Sequence, residues 1–410
     1  MPTHLLRSLA VAAGILPALS LAAPLTLDQA LALAVQRSEA TRSARAGTAS
    51  AYEAARAAGQ LPDPTLSLSI DNLPVTGLDR YSTTADSMTM KRVGISQEWL
   101  SSEKRSAREA AARAAVERAA VNEQSAAAET RLQTALAYLD AYYAGEMLKL
   151  TRLTEHHLHE ELEAATGRLA SSAGSSQEAL AMTSARGIAE DESAELQQTQ
   201  AAATVTLQRW VGQQIEELVP PILPTPSAEQ AYVAAHPAVL AAQRDIEVAR
   251  QEATVAASRR KPNWTWQVAY EQRTGFSNMV SFGVNIPLPV SPAERQDRET
   301  ASKLALVDKT EASLGEATRA ATAEFRGLSS DAQRLAERIE RYHAAVVVPA
   351  QQRMQAALAG YRSNQVSLMT LFEARHAEVG VQRKLLALQR DFSKTQVQLA
   401  YKPLLAGGAE

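Results

Sequence analysis

The densest run of side chains able to bind metals or move protons is HHLHEELE, residues 156–163. At helical spacing His156, His159, Glu160 and Glu163 stand at i, i+3, i+4 and i+7 and share one face. Neutral imidazole mixed with carboxylate suits zinc, nickel or cobalt, and copies arranged about an axis would multiply the ligands. The same residues equally describe an ordinary solvated helix face, so His156, His159 and Glu163 are candidates only. Other chemistry is sparse. The remaining His are scattered, and Glu160 and Glu161 lean to opposite faces. No G-x-G-x-x-G, P-loop, HExxH or G-x-S-x-G motif occurs. Zero cysteine excludes a disulfide framework, a Cys-ligated zinc or iron–sulfur centre and a thiol nucleophile. The expectation is a non-enzyme without a cofactor.

The elements that would carry this segment are long helices. Of 410 residues 46% are hydrophobic, yet only 5% are aromatic, so alanine rather than bulky side chains fills the apolar share. Such a chain packs long helices closely on small residues. The formal charge of −3, with Lys and Arg spread throughout, gives no basic groove for nucleic acid. Residues 1–22 read as a signal peptide: His4 and Arg7, an apolar run from Leu9 to Leu21, then Ser20-Leu21-Ala22 before the cut. Without cysteine, no lipid anchor is expected. No later window is apolar enough for a transmembrane helix. An exported chain of this kind is either soluble or inserts as a β-barrel.

The chain is built twice, with a spacing of about 200 residues. The divisions read as a first repeat at 23–212, a Pro-rich linker at 213–227, a second repeat at 228–402 and a flexible tail at 403–410. Each repeat opens with an Ala-rich helix, Leu27–Gln60 or Ala228–Lys261, that stops at Pro62 or Pro262. Two strand-like segments follow. Trp264, Trp266, Val268 and Tyr270, and then Val280, Phe282, Val284 and Ile286, alternate with small or polar residues. Leu66, Leu68 and Ile70 do the same in the first repeat. The segment near Met88–Gln97 is expected to slip phase at Lys91-Arg92. Period two means one apolar and one polar face, and segments of this length suit tilted membrane strands with lipid on the apolar face. Four strands cannot close a barrel, and lipid tolerates no open sheet edge. Membrane strands would therefore have to be shared between chains, eight from two copies or twelve from three.

Ser102–Ser171 and Ser291–Tyr361 are each about 70 residues of helical pattern, or roughly 105 Å at 1.5 Å per residue. Leu132, Leu136, Leu139, Tyr143, Met147 and Leu150 step by four and three, as Leu335, Ile339, Tyr342 and Val346 do in the second half. Pro349 marks a kink. Ser176–Val211 and Val366–Tyr401 are half as long, so each repeat pairs one long helix with two short ones. The strands then lie at one end and a polar break at the other.

In these features the chain resembles the TolC family of outer-membrane efflux channels from about Leu25 to Tyr401. The elements are the LTLDQALALA opening, the helix-ending prolines, GISQEWLSSEKRSAREAA, and VVVPAQQRMQAALAGYRSNQVSLMTLFEARHA. The resemblance implies a mainly α chain with a small β part, in which four strands contribute to a shared trimeric 12-stranded outer-membrane barrel above a long coiled-coil α-barrel. It implies a homotrimer whose partners are outer-membrane lipid, a periplasmic adaptor and an inner-membrane RND pump. The polar breaks become the periplasmic tips where the adaptor engages: Gly174, Ser175, Ser176 and Gln177, and Asn364, Gln365, Val366 and Ser367. The aperture acids of some members map to Thr370 and Glu373, and Thr370 departs from the pattern. Three copies of Glu373 would form one anionic ring favouring cations. EKRSARE is most similar to the heavy-metal cation branch, although Ser102-Glu103 replaces its Gly-Gly. A duct for drugs or polypeptides, and a soluble periplasmic scaffold, are the alternatives.

Overall fold

The computed structural model describes residues 24–171 and 175–404, without the side chains of residues 164 and 178. The expected signal segment and Gly174 lie outside the described residues. The first repeat runs α1 (Leu27–Arg37), α2 (Glu39–Ala58), β1 (Thr65–Asp71), β2 (Met90–Trp99), α3 (Ser102–Ala170) and α4 (Ser176–Val211). The second runs α5 (Glu229–Ala234), α6 (Pro237–Ser258), β3 (Trp264–Gln272), β4 (Met279–Asn285), α7 (Gln296–Tyr342), a π-helical turn (His343–Val347), α8 (Val348–Arg362) and α9 (Leu368–Tyr401). The chain is thus mainly α with a small β part, as expected.

Both opening helices are interrupted, where one helix each was expected. Ser38 is extended, ending α1 and capping α2: its Oγ accepts from the Thr41 N–H at 3.1 Å and meets the Thr130 hydroxyl at 3.0 Å. His236 holds the matching place between α5 and α6. Its Nδ1 accepts from the Ala238 N–H at 3.2 Å, and Pro237 takes the first helical position, where its missing donor costs nothing. Near Pro349 the expected kink is a π-helical turn, because proline can give no N–H to the carbonyl of Ala345.

The antiparallel sheet has the order β1-β2-β3-β4. Its strands continue into helices that pack in the same order, α2 on α3, α3 on α6 and α6 on α7. One layer therefore changes from sheet to helix without changing neighbours. Further from the sheet, α4 packs on α3, and α9 packs on α3, α7 and α8. The seam is buried at Leu132, Leu139 and Tyr143 and only half-buried at Leu335, Ile339, Tyr342 and Val346.

A cluster around Leu31, Leu132, Leu139, Leu207 and Val397 surrounds Tyr138, which is fully buried. The Tyr138 hydroxyl lies 2.7 Å from the Leu25 carbonyl and 2.6 Å from that of Val219, tying the start of the first repeat to the linker. Leu25 and the linker also exchange backbone bonds, Leu25 N–H to Glu217 at 3.0 Å and Val219 N–H to Leu25 at 3.1 Å. At the other terminus Leu404, inside the stretch expected to be a loose tail, is buried and gives its N–H to the Ala235 carbonyl at 2.8 Å.

Burial pushes the Tyr138 phenol up to about 12, so it remains a donor at every physiological pH. Tyr138→Phe removes the single hydroxyl proton shared between the Leu25 and Val219 carbonyls and is expected to cost about 1–3 kcal/mol. Equilibrium denaturation in detergent reads this as a lower midpoint with an unchanged slope.

Candidate functional site

Strand register gives the sheet two chemically different faces. Across the four strands Leu68, Val93, Tyr270 and Val280 stand in one row, and Leu66, Ile95, Val268 and Phe282 in the next. Trp266 pairs with Val284, and Trp99 with Trp264, whose rings lie 5.9 Å apart at the helical end. These side chains meet no core. Leu68 and Phe282 are each 72% exposed, and Leu66, Ile70, Val280 and Val284 are exposed too. The other face carries Ser67, Gly94, Ala269 and Ser281 in one row and Ser69, Arg92 and Glu271 in another.

In β2 the backbone pairing is continuous, and the slip expected at Lys91-Arg92 is one of residue type. Met90 falls on the polar face opposite Asp71, while Arg92 lies on the same face, 3.7 Å from Asp71 and 3.6 Å from Glu271. Lys91 lies opposite Ile70 and Gln272 on the apolar face, near the end of β2 remote from the helices. Gly94 is on the polar face because a Cβ there would come within 2.8 Å of the Ser67 Oγ and 3.2 Å of the Ala269 Cβ. Among the described residues β1 and β4 each pair on one side only, so both edges carry unpaired backbone groups.

At the opposite end the breaks between paired helices form two turns. Ser175 precedes α4, and Ser176 and Gln177 are exposed in its first turn. In the second turn Asn364 takes a left-handed φ of 57°, and Gln365 gives its N–H to the Gly360 carbonyl at 2.8 Å. Val366 packs its methyls over Gly360, and the Ser367 Oγ caps α9 by accepting from the Thr370 N–H at 3.2 Å. Thr370 and Glu373 are exposed and three residues apart on α9. Behind them Leu368, Leu371 and Phe372 are buried against Leu158, Ala165, Met182 and Ala185, so the two turns share one core.

The helices leading away from that core are joined by ion pairs that sequence spacing does not reveal, since the partners lie 184 to 254 residues apart. Arg375 of α9 reaches Glu161 of α3 at 2.5 Å, and Arg383 reaches Glu192 of α4 at 2.8 Å. His376 stands 3.7 Å from Glu192, and Lys394 pairs with Asp140 at 2.6 Å. Glu161 is buried with its Oε2 lacking a partner, and burial pushes its carboxyl up by more than Arg375 and His157 pull it down. The histidine segment splits into local pairs instead. His156 faces Glu160 at 3.5 Å and His159 faces Glu163 at 3.4 Å, all well exposed. Among the described residues no three His, Asp or Glu converge as a metal site, because a straight helix spreads such side chains along its axis.

No protein-family profile matches this chain, and no curated protein sequence matches it. Solved structures do. VceC, an outer membrane protein of Vibrio cholerae, superposes with a TM-score of 0.74 at 19% identity, covering 91% of this chain and 94% of its own. The open state of the MtrE outer membrane channel of Neisseria gonorrhoeae gives 0.75 at 15%, covering 92% and 88%. CusC, described through conformational changes accompanying folding and transmembrane channel formation, gives 0.73 at 15% and covers 92% of each chain. The chain has the outer-membrane channel fold. At these identities the likeness is one of fold, and it extends over nearly the whole channel subunit.

Two results are expected from the tip of this channel fold. Zinc should give the same thermal shift in the wild type and in the double variant His156→Ala, His159→Ala; a shift lost in the variant would restore the metal site. Glu161 titrates above its unfolded value, so its contribution to stability is full below the unfolded pKa and is lost as pH rises through the folded one. Arg375→Leu removes the charge that opposes this upward push. The variant should lose roughly 3–5 kcal/mol at pH 7.5 and less at pH 5, because lower pH favours the neutral Glu161, which does not need the partner. Denaturation curves with equal losses at both pH values would contradict this account.

Proposed function

We propose that this chain is the outer-membrane exit duct of a three-part efflux assembly. The observation that carries the reading is a four-stranded sheet with one largely exposed, mostly apolar face and two open edges, continued by a layer of long helices. An exposed apolar band of this extent needs lipid or a partner to cover it. Open edges are not stable in hydrocarbon, so the missing strands come from further copies of the chain. Three copies give a twelve-stranded barrel, wide enough to continue as a helical tunnel. Leu66, Leu68, Ile70, Trp264, Trp266, Val268, Tyr270, Val280, Phe282 and Val284 face lipid, with the Trp99–Trp264 pair at the periplasmic interface.

In this reading the adaptor docks at the turns around Ser175–Gln177 and Asn364–Ser367, and an inner-membrane RND pump supplies energy and selectivity. The tip helices rest closed and open by population shift when the adaptor binds the open arrangement more tightly. The Glu161–Arg375 and Glu192–Arg383 pairs join helices that would move against one another, and Glu373 offers an anionic ring at the aperture. Heavy-metal cations are the proposed cargo, on the likeness of EKRSARE to that branch. A passive duct needs no binding cage for its cargo, which agrees with exposed, locally paired histidines.

The test is reconstitution. Detergent-solubilised chain should cross-link as a trimer and give discrete conductance steps in planar bilayers. A monomer that stays soluble without detergent and conducts nothing would point to a periplasmic scaffold. Deleting the gene should sensitise cells to cobalt, zinc or cadmium; sensitivity to drugs alone would reassign the cargo.

A further inference from the structure

Where the sheet gives way to helices, a cleft of about 540 Å³ opens between the starts of α3 and α7 and the end of α6. It is lined by six cations, Lys104, Arg108, Arg259, Arg260, Lys261 and Arg295, against two carboxylates, Glu98 and Glu299. Three of the cations are neutralised: Arg259 by Glu299, Arg260 by Asp297 at 3.7 Å, and Lys261 by Glu103. Arg108 and Arg295 are exposed and have no carboxylate partner among the described residues. Lys104 is only 6% exposed, and its ammonium has a single acceptor, the Asn263 Oδ1 at 2.6 Å. An ammonium carries three donors, and the chain supplies a hydrogen-bond acceptor for one of them. Burial and the neighbouring Arg108 pull its pKa down.

Two features make this arrangement unfavourable unless something answers it. Lys104 and Arg108 stand in the first two turns of α3, where the helix dipole already favours negative charge. The buried Lys104 ammonium is answered within the chain only by Asn263 and, at longer range, by Glu98. A bound anion answers both at once.

The side of the layer on which the cleft opens is fixed by register. Glu98 lies opposite Thr265, on the same strand parity as Ser96, Gly94 and Arg92, hence on the polar face. Asn263 gives its Nδ2 to the Glu98 Oε1 at 2.7 Å while accepting from Lys104, a chain of contacts running down that face. The apolar rows of the strands are on the other side, although Pro287, Leu288 and Pro289 also line the cleft, and the polar chain of contacts favours an occupant from water.

We propose that this cleft is an anion-binding site for carboxylate-, phosphate- or sulfonate-type groups, and that it makes the mouth between sheet and helices prefer anions. The second half rests on the channel reading, in which the polar face lines the passage and every copy contributes a cleft. The passage would then carry opposite preferences at its ends, Glu373 at the tip and this cationic girdle beneath the sheet. Discrimination between cargos would fall to the pump.

The experiment compares wild type with Arg108→Gln, Arg295→Gln, and with Arg108→Lys, Arg295→Lys; both sites are exposed, so folding should survive. In planar bilayers under a potassium chloride gradient, the wild-type reversal potential should indicate anion preference. The Gln pair should shift it toward cations, and the Lys pair should retain it. In detergent, pyrophosphate should raise the thermal transition of wild type, with apparent affinity falling roughly tenfold or more in the Gln pair and weakening with added salt. A reversal potential identical in wild type and Gln pair overturns the selectivity claim. Stabilisation by phosphatidylglycerol micelles but not by pyrophosphate overturns the assignment to a water-borne anion. Absent conductance with a pyrophosphate shift intact defeats the channel reading and upholds the site, whereas absence of both defeats the two together.

Discussion

The pairing of β2 with β3 is the contact on which the rest of the molecule depends. It joins the two repeats, and its register, Trp99 opposite Trp264 through Lys91 opposite Gln272, fixes which way every strand residue points. A slip of one residue would turn Ile95, Val93 and Trp99 to the polar side and carry Arg92 and Glu98 into the apolar rows. The slip would also displace Gly94 from a position where an added Cβ would crowd the Ser67 Oγ and the Ala269 Cβ. Because each strand runs into or out of a helix across a short connection of two to ten residues, the same register sets the order α2, α3, α6, α7 beneath the sheet.

Away from the sheet the helices have little bulk with which to hold one another. Alanine supplies much of the buried surface, and large side chains gather at a few stations such as Tyr138, Phe372 and Tyr232. Small residues allow close helix approach but bury little area each. Specific polar contacts complete the specification: the Tyr138 hydroxyl on two carbonyls, and the arginines of α9 on Glu161 and Glu192. These contacts join parts of the chain separated by 81 to 214 positions.

The duplication is closer in structure than in letters. Ser38 and His236 are unlike side chains, yet each interrupts the opening helix of its repeat by capping the next one. A hydroxyl and an imidazole nitrogen both accept an N–H, so the capping geometry can be kept while the residue changes. Where the copies diverge, at the π-helical turn before Pro349, the proline ring gives the reason.

Much was legible from local pattern. Strand alternation at Trp264–Tyr270 and Val280–Val284, the 69-residue α3 and the helix α4 follow from periodicity and proline, since these depend on neighbours a few positions away. The break at His236-Pro237 was missed, although proline at the first helical position is a start signal that could have revealed it. What the sequence could not supply were relations between distant segments: the unbroken parity of β2 through Lys91-Arg92, the reach of Arg375 to Glu161, and the meeting of Lys104, Arg108 and Arg295 around one cleft. His156 and His159 show the converse, a suggestive spacing that a straight helix keeps apart. Local periodicity determined the elements and their apolar faces; only the tertiary structure, by fixing strand register and bringing remote charges together, decided what those faces and charges confront.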